Sequence, residues 1–293
     1  MANVNLDADL ISKLEFIEKK DLRPGRYAFP DFLIVGPPRT GTTWLHRNLS
    51  FHPQIFMSSP KEIIFFDRLD KPGDAHFKSN RLEWYSEFFS ISLSTQVNEI
   101  LRNWRSFGAP YRIRTKGEAT ASYLIMEEAK INELRLLSPE IKIIISVRNP
   151  VDRAWSDLKK HLASRQAVEL HFESKSFDDI DFETFARFYN TNYMMRCGQF
   201  TANIARWKRI FWKDQVLLYA FDDIAERPRA LLEDIYRFLG ISTRDCVFNA
   251  DLYSKVVHRI TDLEMPEEHK HFLSDMFREE IQSLNQAFGL SFI

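Results

Sequence analysis

The clearest hydrophobic pattern in this chain lies at 32–49. Phe32 to Val35 form a short apolar run of the kind that makes a buried parallel strand. A Gly36-Pro37-Pro38-Arg39-Thr40-Gly41 turn follows, and Trp44, Leu45 and Leu49 then recur at helical spacing from Thr42 onward. Lys142 to Val147 (KIIISV) repeats the theme, ending in Arg148-Asn149-Pro150 and leading into Val151, Ala154, Trp155 and Leu158 on one helix face. Gln54–Met57 and Gln215–Phe221 read as further strands. Helical periodicity is found at 126–137, 199–212 and 266–288, and at 228–239, where Arg227-Pro228 opens the helix and Gly240 closes it. Leu6, Leu10, Leu14 and Ile17 predict a short amphipathic helix over 6–20 that ends at Arg23-Pro24-Gly25, and Gly117–Tyr123 reads as a loop. The pattern over 68–115 is irregular, with Trp84, Tyr85, Phe88 and Phe89 suggesting one helix. The polar, Phe-spaced stretch 164–192 reads as a helical cap or insertion. Strands separated by helices predict an α/β fold: a single three-layer α/β/α domain of P-loop type over 1–293, with a central parallel sheet and an N-terminal helical extension at 1–28.

Composition sharpens this picture in three places. A 44% hydrophobic fraction with 25 Phe supplies ample core material. No apolar run approaches the length of a transmembrane helix and the N-terminus is polar and acidic, so no transmembrane segment and a cytoplasmic location are expected. Cys197 and Cys246 lack metal-ligand spacing. A formal net charge of −1 argues against a general nucleic-acid or polyanion binder, so anion recognition must be local.

Strand, Gly-bounded loop and helix N-terminus together make a phosphate cradle, because exposed amides and the positive end of the helix dipole converge on one anion. Gly36 and Gly41 stand at Walker A spacing, but Thr42 occupies the position of the lysine, and Arg39 is the cation inside the loop. A second anion site is legible at Arg148 with Ser156 eight residues on, two helical turns from the strand end. A surface pairing of Arg148 with Asp152 is the alternative. The strand at 142–147 does not end in the aspartate of a Walker B metal site. Two anion sites without those elements suggest a nucleotide whose phosphates sit at separate positions. The Lys61-Glu62 pair is expected near a strand end, where α/β sites gather. Arg102, Arg105, Arg112, Arg114 and Lys116 read either as a solvated basic face or as a contact for an anionic substrate group.

These residues carry a resemblance. GPPRTGTTWL at 36–45 resembles the 5′-phosphosulfate loop of sulfotransferases that use 3′-phosphoadenosine 5′-phosphosulfate (PAPS), and VRNPVDRAWS at 147–156 resembles their 3′-phosphate motif. KEIIFFD at 61–67 is similar to the glutamate segment of the heparan-sulfate type and of many bacterial members. GEATASYL at 117–124 and GQFTANIARW at 198–207 fall where related patterns do. By resemblance, Pro38, Arg39, Thr40, Gly41, Thr42, Thr43 and Trp44 belong to the 5′-phosphosulfate loop, Arg148 and Ser156 bind the 3′-phosphate, and Glu62 is the general base, with Lys61 assisting. Lys255 or Arg259 is a further candidate for the 3′-phosphate, and His52 and His161 are rival bases. The implied reaction moves a sulfuryl group from PAPS to a hydroxyl or amine of a small-molecule, lipid or saccharide acceptor, leaves 3′-phosphoadenosine 5′-phosphate (PAP) and uses no metal. Segments 68–115 and 162–197 would shape the acceptor side. Ala119 stands where heparan-sulfate-type enzymes carry a lysine, which speaks against polyanionic glycans. A P-loop kinase and a non-catalytic nucleotide-binding protein are the alternatives.

Overall fold

The structure, a computed structural model, describes residues 3–163, 181–255 and 264–292. Strands β1 (Asn3–Leu6) and β2 (Gly25–Ala28) form an antiparallel pair on either side of helix α1 (Ala8–Lys13). The main sheet contains β3 (Phe32–Ile34), β4 (Ile55–Met57), β5 (Thr115–Ala119), β6 (Lys142–Val147) and β7 (Val216–Ala220), in the order β4-β5-β3-β6-β7, and all four pairings are parallel. Helices α2 (Thr42–Phe51), α3 (Leu82–Glu87), α4 (Leu93–Phe107), α5 (Glu128–Leu137) and α6 (Pro150–Ala163) precede the first break in the described residues. Helices α7 (Phe182–Tyr189), α8 (Asn192–Gly198), α9 (Phe200–Ile210), α10 (Asp223–Glu226), α11 (Pro228–Leu239), α12 (Ala250–Tyr253) and α13 (Glu267–Phe288) follow it.

Successive strand residues point to opposite faces, and the two faces have separate cores. Leu33, Val35, Ile143 and Ile145 pack with Ile131 and Leu134 of α5 and Ile204 and Trp207 of α9. Phe32, Ile34 and Ile144 face Trp44, Leu45 and Leu49 of α2 and Leu231, Leu232 and Ile235 of α11. Helices therefore cover both faces of a parallel sheet, as the alternation of elements predicts. Because β3 is flanked by β5 on one side and β6 on the other, the loops leaving β3 and β6 meet at the carboxyl edge, the usual ligand crevice of such sheets.

Three expectations change. The segment read as a loop at 117–123 begins with β5, a fully buried interior strand of sequence TKGEA. Its polar letters hide it, yet each has a packing reason. The Lys116 N–H donates to Asp31 (2.7 Å), Glu118 anchors a buried hydrogen-bond network, and Gly117 lies under the Phe32 ring, where a Cβ would come within 2.1 Å of Cζ. The helix expected over 6–20 spans Ala8–Lys13 only. It stops because the amides of Glu15, Phe16 and Ile17 donate to the Glu133 carboxylate at 2.6, 2.8 and 2.8 Å and so cannot continue the helical ladder. The segment 68–115 holds two helices rather than one, and the second, α4, starts at an Ser92 N-cap that accepts from Thr95 N–H. Phe172 and Phe177 lie outside the described residues.

Candidate active site

The turn after β3 is held from three directions. Val35 N–H donates to the Ile144 carbonyl (3.1 Å), Ser146 Oγ to the Thr40 carbonyl (2.6 Å), and Thr40 Oγ1 to the Pro37 carbonyl (2.7 Å). The Thr40 side chain is therefore committed inside the loop, and the residue is fully buried. Gly41, at φ +84°, is the N-cap of α2, and among the described residues no side chain caps it. The amides of Thr42, Thr43 and Trp44 open the helix ahead of Leu45 N–H, which bonds back to the Gly41 carbonyl at 3.1 Å. These amides and the helix dipole make a preformed anion site. The Trp44 indole is buried and donates to the Tyr253 carbonyl (3.0 Å), so this side chain fastens α12 to α2. Thr43 is half-buried, and so is Pro38 in the turn.

The second motif joins the first. Arg39, at φ +71°, donates its Nε to Ser156 Oγ (3.1 Å), and Arg148 donates Nη1 to the Arg39 carbonyl (2.9 Å). The Arg148 guanidinium lies over the Phe221 ring, 4.3 Å from its centroid. Burial pulls both guanidinium groups below their ordinary value, and their mutual repulsion adds to the pull on Arg148. The charges of Asp152 and Asp222 act on Arg148 in the opposite sense. Arginine starts so far above neutrality that both remain cations. Two desolvated cations held together by backbone and hydroxyl contacts form a site that favours a polyvalent anion.

Glu62 lies on the loop after β4. Its N–H donates to the Ala119 carbonyl (2.9 Å), and Ala119 is the register partner of Ile34, two residues before Gly36. Lys61 Nζ donates to Glu62 Oε1 (2.7 Å), with 18% of the Lys61 side chain and 40% of the Glu62 side chain exposed. Glu62 and Ile64 have φ of +65° and +58°. Such conformations cost about 1–3 kcal/mol each in ordinary residues, and a β-branched residue there is an outlier, so the surroundings must impose them. Sequence reasoning passed over His46. It sits one turn into α2, within 3.3 Å (Nε2) of the Ser58 carbonyl, and burial lowers its pKa. Its i+4 position after Thr42 was the available signal.

The rival bases separate. His52 uses both ring nitrogens, Nδ1 accepting from Gln54 N–H (3.1 Å) and Nε2 lying 3.0 Å from the Ser242 carbonyl. Burial drives its pKa down to about 4, so it is a neutral structural group at the far end of α2. His161, on α6, is half-buried beside Phe188. Part of the basic stretch is placed away from this edge: Lys116 is the second residue of β5 and Arg112 and Arg114 precede the strand, at the opposite end of the sheet, while Arg102, on α4, pairs with Glu99. Lys255 is exposed after α12, and Arg259 lies outside the described residues.

A cavity of about 200 Å³ has Asp67, Arg68, Ser122, Lys130, Tyr193 and Arg196 on its walls. Arg68 comes from the first variable segment and Tyr193 and Arg196 from the second.

A family model described as a sulfotransferase domain matches residues 29–281. Over 285 residues the chain is 27% identical to the mouse bifunctional heparan sulfate N-deacetylase/N-sulfotransferase 2, covering 88% of this chain and 29% of that protein. The bovine counterpart is 29% identical over 238 residues, covering 76% and 24%. The chain thus spans less than a third of the length of these relatives. A solved sulfotransferase from Alicyclobacillus acidocaldarius matches with a TM-score of 0.64 and 25% identity, over 90% of this chain and 98% of that one. The sulfotransferase domain of the Synechococcus PCC 7002 olefin synthase shares the fold, with a TM-score of 0.50 and 20% identity over 94% and 99%.

Proposed function

The chain belongs to the sulfotransferase family, and from that premise we propose that it transfers a sulfuryl group from PAPS to an acceptor hydroxyl or amine. The observation that carries this reading is the joining of two anion-binding loops into one unit: Arg39 from the end of β3 bonds to Ser156 of α6 and to Arg148 at the end of β6. The residues fit the donor. The α2 amides and Arg39 would hold the 5′-phosphosulfate, and Arg148 and Ser156 the separate 3′-phosphate. Bound there, PAPS supplies the sulfuryl group and leaves as PAP.

Sulfuryl transfer is an in-line displacement at sulfur, so it needs a base for the nucleophile and fixed positive charge where the leaving phosphate becomes more negative. In this reading Arg39 and the first-turn amides of α2 supply that charge. Arginine stabilises charge but is a poor proton donor at neutral pH, so its role is electrostatic. Glu62 is the base in this reading, with Lys61 fixing the direction of its carboxylate. The charged cavity, walled by residues of both variable segments and by Asp67, suits a polar acceptor. A small molecule or saccharide meets that description better than a lipid tail, and relatives described as heparan sulfate N-deacetylase/N-sulfotransferases support a saccharide.

Thermal-shift titration tests the donor assignment. PAP is expected to raise the unfolding temperature without magnesium, and ATP with magnesium to do so weakly. A response to ATP with magnesium alone would favour a kinase and overturn the reading.

A further inference from the structure

Glu118 is a fully buried carboxylate in the interior strand β5, and three hydroxyls surround it. Thr120 Oγ1 donates to its Oε1 (2.6 Å), the Tyr85 hydroxyl donates to its Oε2, and the Tyr123 hydroxyl bonds to the same group. Two of these hydroxyls have a second task. Thr120 Oγ1 accepts from Ile64 N–H (3.4 Å), and the Tyr123 oxygen accepts from Phe65 N–H (2.9 Å) and Phe66 N–H (3.3 Å). With the Glu62 N–H to Ala119 bond, four of the five amides from 62 to 66 are tied to β5 or the turn after it. This is the stretch in which Glu62 and Ile64 hold positive φ.

We propose that Glu118 is a positioning residue which, through Thr120 and Tyr123, holds the 62–66 backbone in the strained conformation that presents Glu62 to the acceptor. The argument is one of hydrogen-bond direction. A hydroxyl has one proton, and while that proton points at Glu118 its lone pairs are left for the loop amides. Once ionised, above about pH 7, the carboxylate only accepts, so it then holds both hydroxyls in that sense at once. A group carrying its own N–H or O–H on that side would turn one hydroxyl around and remove an amide's partner. The cluster is also buried, which makes a mismatched donor costly and the alignment stiff. The proposal rests on the assignment of Glu62 as the base.

Glu118→Gln keeps the shape and places an N–H among the hydroxyl donors. Tyr123→Phe and Thr120→Val remove one relay each and serve if Glu118→Gln fails to fold. Turnover is read as release of labelled sulfate from PAPS with water as nucleophile: the water oxygen bonds to sulfur, the sulfur–oxygen bond to the 5′-phosphate breaks, and PAP leaves while the base takes the proton. The expected result is a loss of kcat of about 10²-fold with the dissociation constant for PAP unchanged, as a misplaced base would give. Amide exchange at 64–66 should speed up in each variant. In a Glu62→Gln background the same substitutions should cost little more, because their effect passes through Glu62. An additive loss in that background, weakened PAP binding, or unchanged turnover in a folded Glu118→Gln would overturn the proposal. Full turnover in Glu62→Gln alone removes the base assignment first, and the proposal with it.

Discussion

The two halves of the carboxyl edge are built on different principles. On the proposed donor side, the loops after β3 and β6 follow apolar strands, and their candidate ligand groups are backbone amides at a helix start with two guanidinium groups pinned by short contacts. On the Glu62 side the loop has no regular structure. It is held by a strand that carries Lys116, Gly117 and Glu118 in its interior, and it includes two non-glycine residues at positive φ. The first site is a property of contiguous sequence, since a strand, a turn and a helix start create it wherever they occur. The second exists only once residues 62–66, 85 and 118–123 have come together. An anion site can be rigid through its main chain alone, whereas an aimed carboxylate on a loop has to be held from outside. The contrast yields three ways to break it.

The largest effect is expected from Arg39→Ala. Removing a charge-stabilising donor from a preorganised site typically lowers kcat by about 10² to 10³-fold. Here the Arg39 side chain is also the link to Ser156, so binding of 3′-phosphorylated nucleotide should weaken as well. Arg148→Ala should weaken PAP far more than adenosine 5′-phosphosulfate, which lacks the 3′-phosphate. Isothermal titration with both nucleotides checks this, and equal losses would remove the assignment of Arg148. Neither variant should alter amide exchange at 64–66 if the two sides are as separate as their construction implies.

Gly36→Ala strikes the seam between them. Gly36 has φ +86°, and a Cβ there would come within 2.2 Å of the Ala121 carbonyl oxygen, in the turn after β5 that also carries Thr120 and Tyr123. Left-handed strain and a clash against backbone add, so urea unfolding should show a loss of about 3 kcal/mol. Turnover in the folded fraction should fall through both PAP affinity and kcat. A stability change under about 0.5 kcal/mol, the level of an unremarkable surface substitution, would mean that the close approach is not maintained.

Most of the donor side was legible in the sequence. Arg39, Arg148 and Ser156 sit at fixed offsets from two apolar runs, and offsets survive into structure when strand, loop and helix are consecutive. Six of the main helices and four of the five main-sheet strands were also readable from period alone. β5 was not, because sequence patterning registers a buried charge as a loop and cannot see that three hydroxyls will satisfy it. The end of α1 was hidden for a related reason: the Glu133 carboxylate that takes the amides of 15–17 is more than a hundred residues away. The placement of Arg112, Arg114 and Lys116 at the opposite end of the sheet was equally unreadable, since it depends on β5 being a strand.

The weakest lever on the comparison is pH, which acts with opposite sign on one buried group from each region. Glu118 is pushed up to about 7 by burial, from an ordinary value of 4.5. Between those values the folded chain holds a proton that the unfolded chain has lost, so this group makes stability fall as pH rises from 4.5 to 7. His52, at the C-terminal end of the donor-side helix α2, is lowered to about 4 from 6.5, again by burial. Below 6.5 the unfolded chain takes up a proton that the folded chain refuses, so this group makes stability fall as pH drops from 6.5 to 4. Each amounts to about 3 kcal/mol over its full range. Asp67, raised by burial, adds to the first trend, and His46, His161 and His269, lowered by burial, add to the second. The Glu118 and His52 contributions oppose each other, so the wild-type urea midpoint should change less between pH 4.5 and 6.5 than it does once Glu118 is neutralised. Glu118→Gln should expose a loss of stability on acidification, and His52→Asn a gain. Parallel pH profiles for Glu118→Gln and wild type would show that the carboxylate is not carrying its proton in the folded state, and the buried network on the Glu62 side would then be charged throughout this range.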